Sequence, residues 1–192
     1  MAISESNRVR RFSLPDLADE RVDLAITAFL EGPDKRRGRP RGGAVHQSPA
    51  DPLAALQNRL AWNEALRRES ARILRYHRPA AVIVVAGEPR GNTAEANGWL
   101  DRVAGPIAHA LQRGIRQTDL VTRTASARFQ VLLPETTGPE AAHIADRVVA
   151  DCEVWLNVIR APIALRVAVA EATPDMTLEA ALDRALAALE TR

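Results

Sequence analysis

Between Pro79 and Gly87 runs an unbroken apolar stretch, Ala80–Ala86, which reads Ala-Ala-Val-Ile-Val-Val-Ala. Four of its seven residues are β-branched, so the backbone favours the extended form. Because apolar residues do not alternate with polar ones, neither face of such a strand suits water, and the run predicts a central strand covered on both sides. The rest of the chain supplies the cover. Leu60–Tyr76 is an amphipathic helix carrying Leu60, Trp62, Ala65, Leu66, Ile73 and Leu74 at helical spacing, and Leu100–Arg113 is a second helix. Leu120–Thr124 and Phe129–Leu133 flank a short turn and read as a hairpin. Pro139–Val158 is a third helix, Ile163–Glu171 a strand, and Thr177–Leu189 a last helix opened by Thr177 with Glu179 nearby. The order helix, strand, helix, hairpin, helix, strand, helix predicts an α+β fold, a central sheet with helices on its faces.

Composition sets outer limits. The 192 residues, 46% hydrophobic and 26% charged, suffice for one sizeable core and an appendage. No uncharged apolar run approaches the ~20 residues of a membrane-spanning helix, and Met1–Leu30 has no apolar signal core. The expectation is a cytoplasmic protein without a membrane anchor. Cys152, the single cysteine, forms no internal disulfide and has no partner at metal-ligand spacing, so no structural metal or cofactor is expected. His46, His77, His109 and His143 are scattered without a carboxylate or nucleophile at useful spacing, and Trp62, Trp99 and Trp155 suit packing.

Charge divides the chain. Of its 26 basic and 24 acidic residues, nine and seven lie in residues 1–50, leaving seventeen of each in 51–192. Residues 1–31 comprise a polar terminus and a helix over 14–31, with Leu17, Val22, Leu24, Ile26, Phe29 and Leu30 as apolar material. A face that large predicts docking on the body, on a second copy or on another protein. Residues 32–50 form a Gly/Pro/Arg-rich linker, and 51–192 the folded domain.

Five of the nine N-terminal bases crowd into Lys35, Arg36, Arg37, Gly38, Arg39, Pro40 and Arg41. The core Arg37-Gly38-Arg39-Pro40 resembles an AT-hook, a peptide of the minor groove of A·T-rich DNA. The glycine avoids the groove floor, the proline keeps the chain extended, and arginines suit a narrow groove of enhanced negative potential. A solvated basic linker, or one meeting RNA, acidic lipid or an acidic partner, is the alternative.

Particular residues of the body resemble the GGDEF domain of diguanylate cyclases. Asp51-Pro52-Leu53-Ala54-Ala55-Leu56-Gln57-Asn58-Arg59 stands where that family opens with Asp-x-Leu-Thr-Gly-Leu-x-Asn-Arg. Asp119–Arg123 enters the hairpin and Val131–Pro134 leaves it much as in the family, and Ile163–Ala170 and Leu182–Leu186 match its late strand and last helix. The resemblance implies a mostly antiparallel sheet. It also marks departures. Ala125-Ser126-Ala127-Arg128-Phe129 replaces the signature Gly-Gly-Asp/Glu-Glu-Phe, Ala86 fills a metal-binding aspartate position, and only Glu88 keeps a carboxylate nearby. An alanine cannot ligate a cation, so the resemblance implies a chain that is not an enzyme, with no catalytic residues and no metal.

One element of the family pattern is kept. Arg116-Gln117-Thr118-Asp119 is an Arg-x-x-Asp five residues before the tip, the family's inhibitory site for cyclic di-GMP. A guanidinium there faces a phosphate and a guanine edge while the carboxylate accepts from guanine N–H groups; a surface ion pair is the alternative. The expectation is a binding or regulatory protein, a cyclic di-GMP receptor through Arg116 and Asp119 and a DNA binder through Lys35–Arg41. A scaffold that recruits a protein partner through helix 14–31 is the other reading.

Overall fold

The computed structural model describes residue 26 and residues 52–54, 56–91 and 94–191. From Arg59 onward the elements follow in the order α1 (Arg59–Tyr76), β1 (Ala80–Pro89), α2 (Ala94–Gly114), β2 (Leu120–Ala125), β3 (Arg128–Pro134), α3 (Gly138–Val158), β4 (Ile163–Ala172) and α4 (Leu178–Glu190). The strands form one sheet in the order β2-β3-β1-β4. Every neighbouring pair is antiparallel, with Ile83 facing Val131 on one side and Val169 on the other.

The apolar run lies where its composition requires, at the centre of the sheet. Ala81, Ile83 and Val85 point into one core with Val103, Ile107 and Leu111 of α2 and Val148, Cys152 and Trp155 of α3. Ala80, Val82, Val84 and Ala86 point the other way, against Trp62, Leu66 and Ile73 of α1 and Leu178, Leu182 and Leu189 of α4. The period of two along a strand therefore feeds two cores from one segment. All three tryptophans are buried in these cores.

Helix ends follow local chemistry. The Asn58 carboxamide oxygen accepts from Ala61 N–H at 2.9 Å at the start of α1, and His77 ends that helix in the left-handed region at φ 52°. Glu140 Oε2 accepts from the Thr137 N–H and hydroxyl at 2.9 and 2.8 Å to open α3. Thr177 caps α4 by accepting from Ala180 N–H at 3.2 Å. Helix α2 begins at Ala94, six residues ahead of the expected Leu100, and carries Pro106 internally. β1 runs past Ala86 to Pro89 because its edges stay paired with β4 out to Ile163.

Residues 14–31, expected as a helix, lie outside the described residues except for Ile26. That residue is helical and half-buried, packed against the core under α2 and α3. The basic segment Lys35–Arg41 also lies outside the described residues.

Candidate functional site

The turn from α2 into β2 places Arg116 and Asp119. Asp119 is 8% exposed, and its position is fixed by the backbone around it. Its Oδ2 accepts from the Arg116 N–H at 2.7 Å, its own N–H donates to the Arg116 carbonyl at 3.1 Å, and the Thr118 hydroxyl approaches Oδ1 at 3.4 Å. Burial raises the carboxyl above the ordinary aspartate range, against the opposing pull of the Arg116 N–H, the Arg116 guanidinium and the Thr118 hydroxyl. The Arg116 residue is exposed, and among the described residues its guanidinium makes no ion pair. Arg116 and Asp119 are thus tied through backbone, leaving the cation outward and carboxylate acceptor capacity unspent.

Both residues border a cavity of about 230 Å³ that also involves Leu56, Gln57, Gln112 and Val121. Its other wall is held by a short parallel bridge between Gln57 and Thr122. Gln57 N–H donates to the Val121 carbonyl at 2.8 Å, and the Thr122 hydroxyl donates to the Gln57 carbonyl at 2.8 Å. Arg147 of α3 donates to the Gly114 carbonyl, two residues before Arg116. An added Cβ on Gly114 would meet Val148 Cγ2 at 2.5 Å, so the close approach of α2 to α3 requires glycine at this turn.

The hairpin tip, Ala125-Ser126-Ala127-Arg128-Phe129, folds down onto the end of β1. Ala127 and Phe129 are buried, and Gly87 N–H donates to the Ala127 carbonyl at 2.8 Å. Arg123 organises the turn: Nε donates to the Ala125 and Ser126 carbonyls at 3.0 and 2.9 Å, and Nη2 to Ser126 at 2.6 Å and to Asp101 at 3.0 Å. Ala86 presents a buried methyl on the α1–α4 side, and Glu88 is paired with the buried Arg166 at 3.1 Å. Arg166 in turn donates to the Thr191 carbonyl at 2.9 Å. The side chains at 86, 88 and 127 therefore do not converge as a set of carboxylate donors, and they do not fit a divalent cation here.

The sequence singled out Arg116 and Asp119, which the structure places on one turn; the contacts of Gln57 and Arg166, whose partners lie on other elements, had no local signal. Of the remaining candidates, His77 caps α1 and burial, then Arg113, lowers His109 below the usual imidazole range. Burial, with Asp151 and Glu153 adding to it, pushes the Cys152 thiol up to about 12, so the thiol is protonated and inert.

A family model described as "Diguanylate cyclase, GGDEF domain" matches residues 48–191. Diguanylate cyclase TpbB of Pseudomonas aeruginosa is 30% identical over 153 residues, covering 76% of this chain and 34% of that protein. The chain thus spans about a third of the length of the curated relatives it matches. Among solved structures, the diguanylate cyclase SiaD of Pseudomonas aeruginosa in complex with its activator SiaC superposes with a TM-score of 0.59 at 26% identity, over 73% of this chain and 56% of that one. The GGDEF domain of DgcB from Caulobacter crescentus in complex with c-di-GMP gives 0.58 at 17% identity, over 79% and 91%, a likeness of fold. The antiparallel sheet with helices on its faces is that of these proteins. These matches correct the expectation that the chain is not an enzyme: family model and curated relatives alike are diguanylate cyclases, and the bounds of the family match, residues 48–191, include the altered hairpin tip. Among the described residues, no helix is long and apolar enough to cross a membrane.

Proposed function

The chain belongs to the GGDEF family of diguanylate cyclases, and from that premise we propose that it binds cyclic di-GMP at the turn bearing Arg116 and Asp119. The observation that carries this reading is an exposed Arg116, without an ion pair among the described residues, beside a buried carboxylate on the rim of one cavity. The two groups do complementary work. A guanidinium presents its donors as a fork to a phosphate or to the acceptor edge of guanine, while an ionised carboxylate accepts from the guanine N1–H and N2–H. Because Asp119 is held through the Arg116 backbone, the carboxylate is in position before any ligand arrives, which lowers its share of the ordering cost of binding.

Calorimetric titration of the full chain with cyclic di-GMP tests this directly. The expected result is saturable binding that Arg116→Ala weakens at least tenfold, the scale of a lost charge-assisted bidentate contact. Binding unaffected by Arg116→Ala, or no binding at all, overturns the assignment.

The finer reading places the protein in the cytoplasm and adds contact between Lys35–Arg41 and A·T-rich DNA, supported by the density of bases in that segment. Deleting residues 35–41 is expected to lower DNA affinity and flatten its dependence on salt. Affinity that survives the deletion removes the DNA contact from the proposal.

A further inference from the structure

Gln57 is the part of the cavity wall whose polarity has no structural employment. Its backbone is held on both sides, the N–H by Val121 and the carbonyl by the Thr122 hydroxyl, each at 2.8 Å. Its side-chain amide has no hydrogen-bond partner among the described residues, although the residue is half-buried and lines the same cavity as Asp119. Gln112, the other half-buried amide at this cavity, differs: its Nε2 donates to the Pro52 carbonyl at 2.9 Å. A half-buried amide with unspent donors and acceptor, on a backbone that cannot shift, suits a ligand edge better than bulk packing.

We propose that Gln57 is a ligand-binding residue that donates its amide N–H to guanine O6, completing the guanine edge whose N1–H and N2–H Asp119 accepts. The inference rests on the assignment of Arg116 and Asp119 to cyclic di-GMP. Its chemistry is one of matching sequences of donors and acceptors. The Watson–Crick edge of guanine offers two donors and then an acceptor, so with the Arg116 fork on a phosphate a carboxylate alone leaves O6 unmatched. An amide carried by the strand-like segment that bridges to Thr122, beside the carboxylate of the preceding turn, supplies the missing donor. Adenine has an amino donor in place of O6 and lacks the N1–H, so the Asp119 carboxylate meets an acceptor where guanine offers a donor, and discrimination between the two bases rests on Asp119 while Gln57 adds affinity.

Cyclic di-GMP and cyclic di-AMP are titrated against the full chain and against Gln57→Leu, Gln57→Glu and Arg116→Ala, each verified as folded by circular dichroism. Gln57→Leu, which removes a neutral hydrogen bond, is expected to weaken cyclic di-GMP by about 3–10-fold. Gln57→Glu, which replaces the donor by an acceptor of similar shape, is expected to weaken it further. If the wild-type chain binds and Arg116→Ala fails to, while both Gln57 variants bind as the wild type does, the role of Gln57 is overturned and the site stands. If the wild-type chain itself does not bind, the site falls and Gln57 with it.

Discussion

Asp119 answers to two opposed demands. Buried, it would be more stable protonated, and burial does raise its carboxyl above the ordinary aspartate range; as an acceptor for the Arg116 N–H and for the guanine N–H groups of the proposed ligand, it works ionised. The native state therefore holds the Asp119 proton more tightly than the unfolded chain does. The stabilising contribution of that proton is full below the unfolded pKa near 3.9 and is lost as pH rises through the higher folded value. Asp119→Asn carries no such dependence. Urea unfolding from about pH 3 to pH 7 is expected to show the wild type losing stability relative to Asp119→Asn as pH rises through that window. A gap moving in the opposite sense contradicts the burial argument. Ligand affinity should move the other way, rising as the carboxylate ionises. At this scale the sequence was partly legible. That Arg116 and Asp119 share one turn was readable because their relation is local, four residues. Arg123 was invisible in its role because it gathers carbonyls from a turn that forms only when the hairpin closes, and Asp101 comes from another helix.

Strand β1 and the hairpin tip meet at a contact with no slack. A Cβ added to Gly87 would lie 2.9 Å from Ala127 Cβ and 3.4 Å from Ile163 Cγ2. Ala127 Cβ is fixed to the backbone and cannot rotate away, so relief requires the hairpin tip to lift, breaking the 2.8 Å bond from Gly87 N–H to the Ala127 carbonyl. Gly87→Ala is expected to cost about 1–3 kcal/mol, the usual penalty for overpacking. Adding Ala127→Gly should recover part of that loss, a coupling that a double-mutant cycle reads directly; strictly additive effects would mean the two residues do not compete for space. A second element-scale test concerns α4, which covers β1 and β4 from one side. Its N-terminus relies on the Thr177 hydroxyl accepting from Ala180 N–H. Thr177→Ala is expected to lower stability by about 1 kcal/mol, seen as a lower urea midpoint with an unchanged slope. The elements themselves were legible where composition was strong and their ends where it was weak were not. Ala94–Gly98 carries no apolar stripe to announce a helix, and the extension of β1 through Gly87–Pro89 is dictated by pairing with β4 rather than by its own residues.

For the whole molecule, the one apolar run at Ala80–Ala86 implied two cores, because a central strand with no polar face needs cover on both sides. The structure supplies it with α2 and α3 on one face and α1 and α4 on the other. The strand order β2-β3-β1-β4 was not readable from local periodicity, since it depends on which edges find partners after collapse. That order is what brings the segment before α1 against β2, and so brings Gln57 beside the turn that carries Asp119. A ligand at this cavity consequently touches α2, β2 and the entry to α1 at once, three parts of one cooperative unit. Anything that binds only the native state stabilises it by mass action, about 2.7 kcal/mol at a free concentration one hundred times Kd. For a chain of this length each kcal/mol corresponds to roughly 2–4 °C, so cyclic di-GMP at that excess is expected to raise the melting temperature by about 5–10 °C. Arg116→Ala, weakened at least tenfold, should keep about half of the shift or less at the same ligand concentration, while leaving the ligand-free melting temperature close to that of the wild type, because the exposed guanidinium makes no ion pair among the described residues. A shift retained in full in Arg116→Ala would place the ligand elsewhere on the molecule, and a ligand-free melting temperature that fell sharply would mean that Arg116 serves the fold before it serves the site.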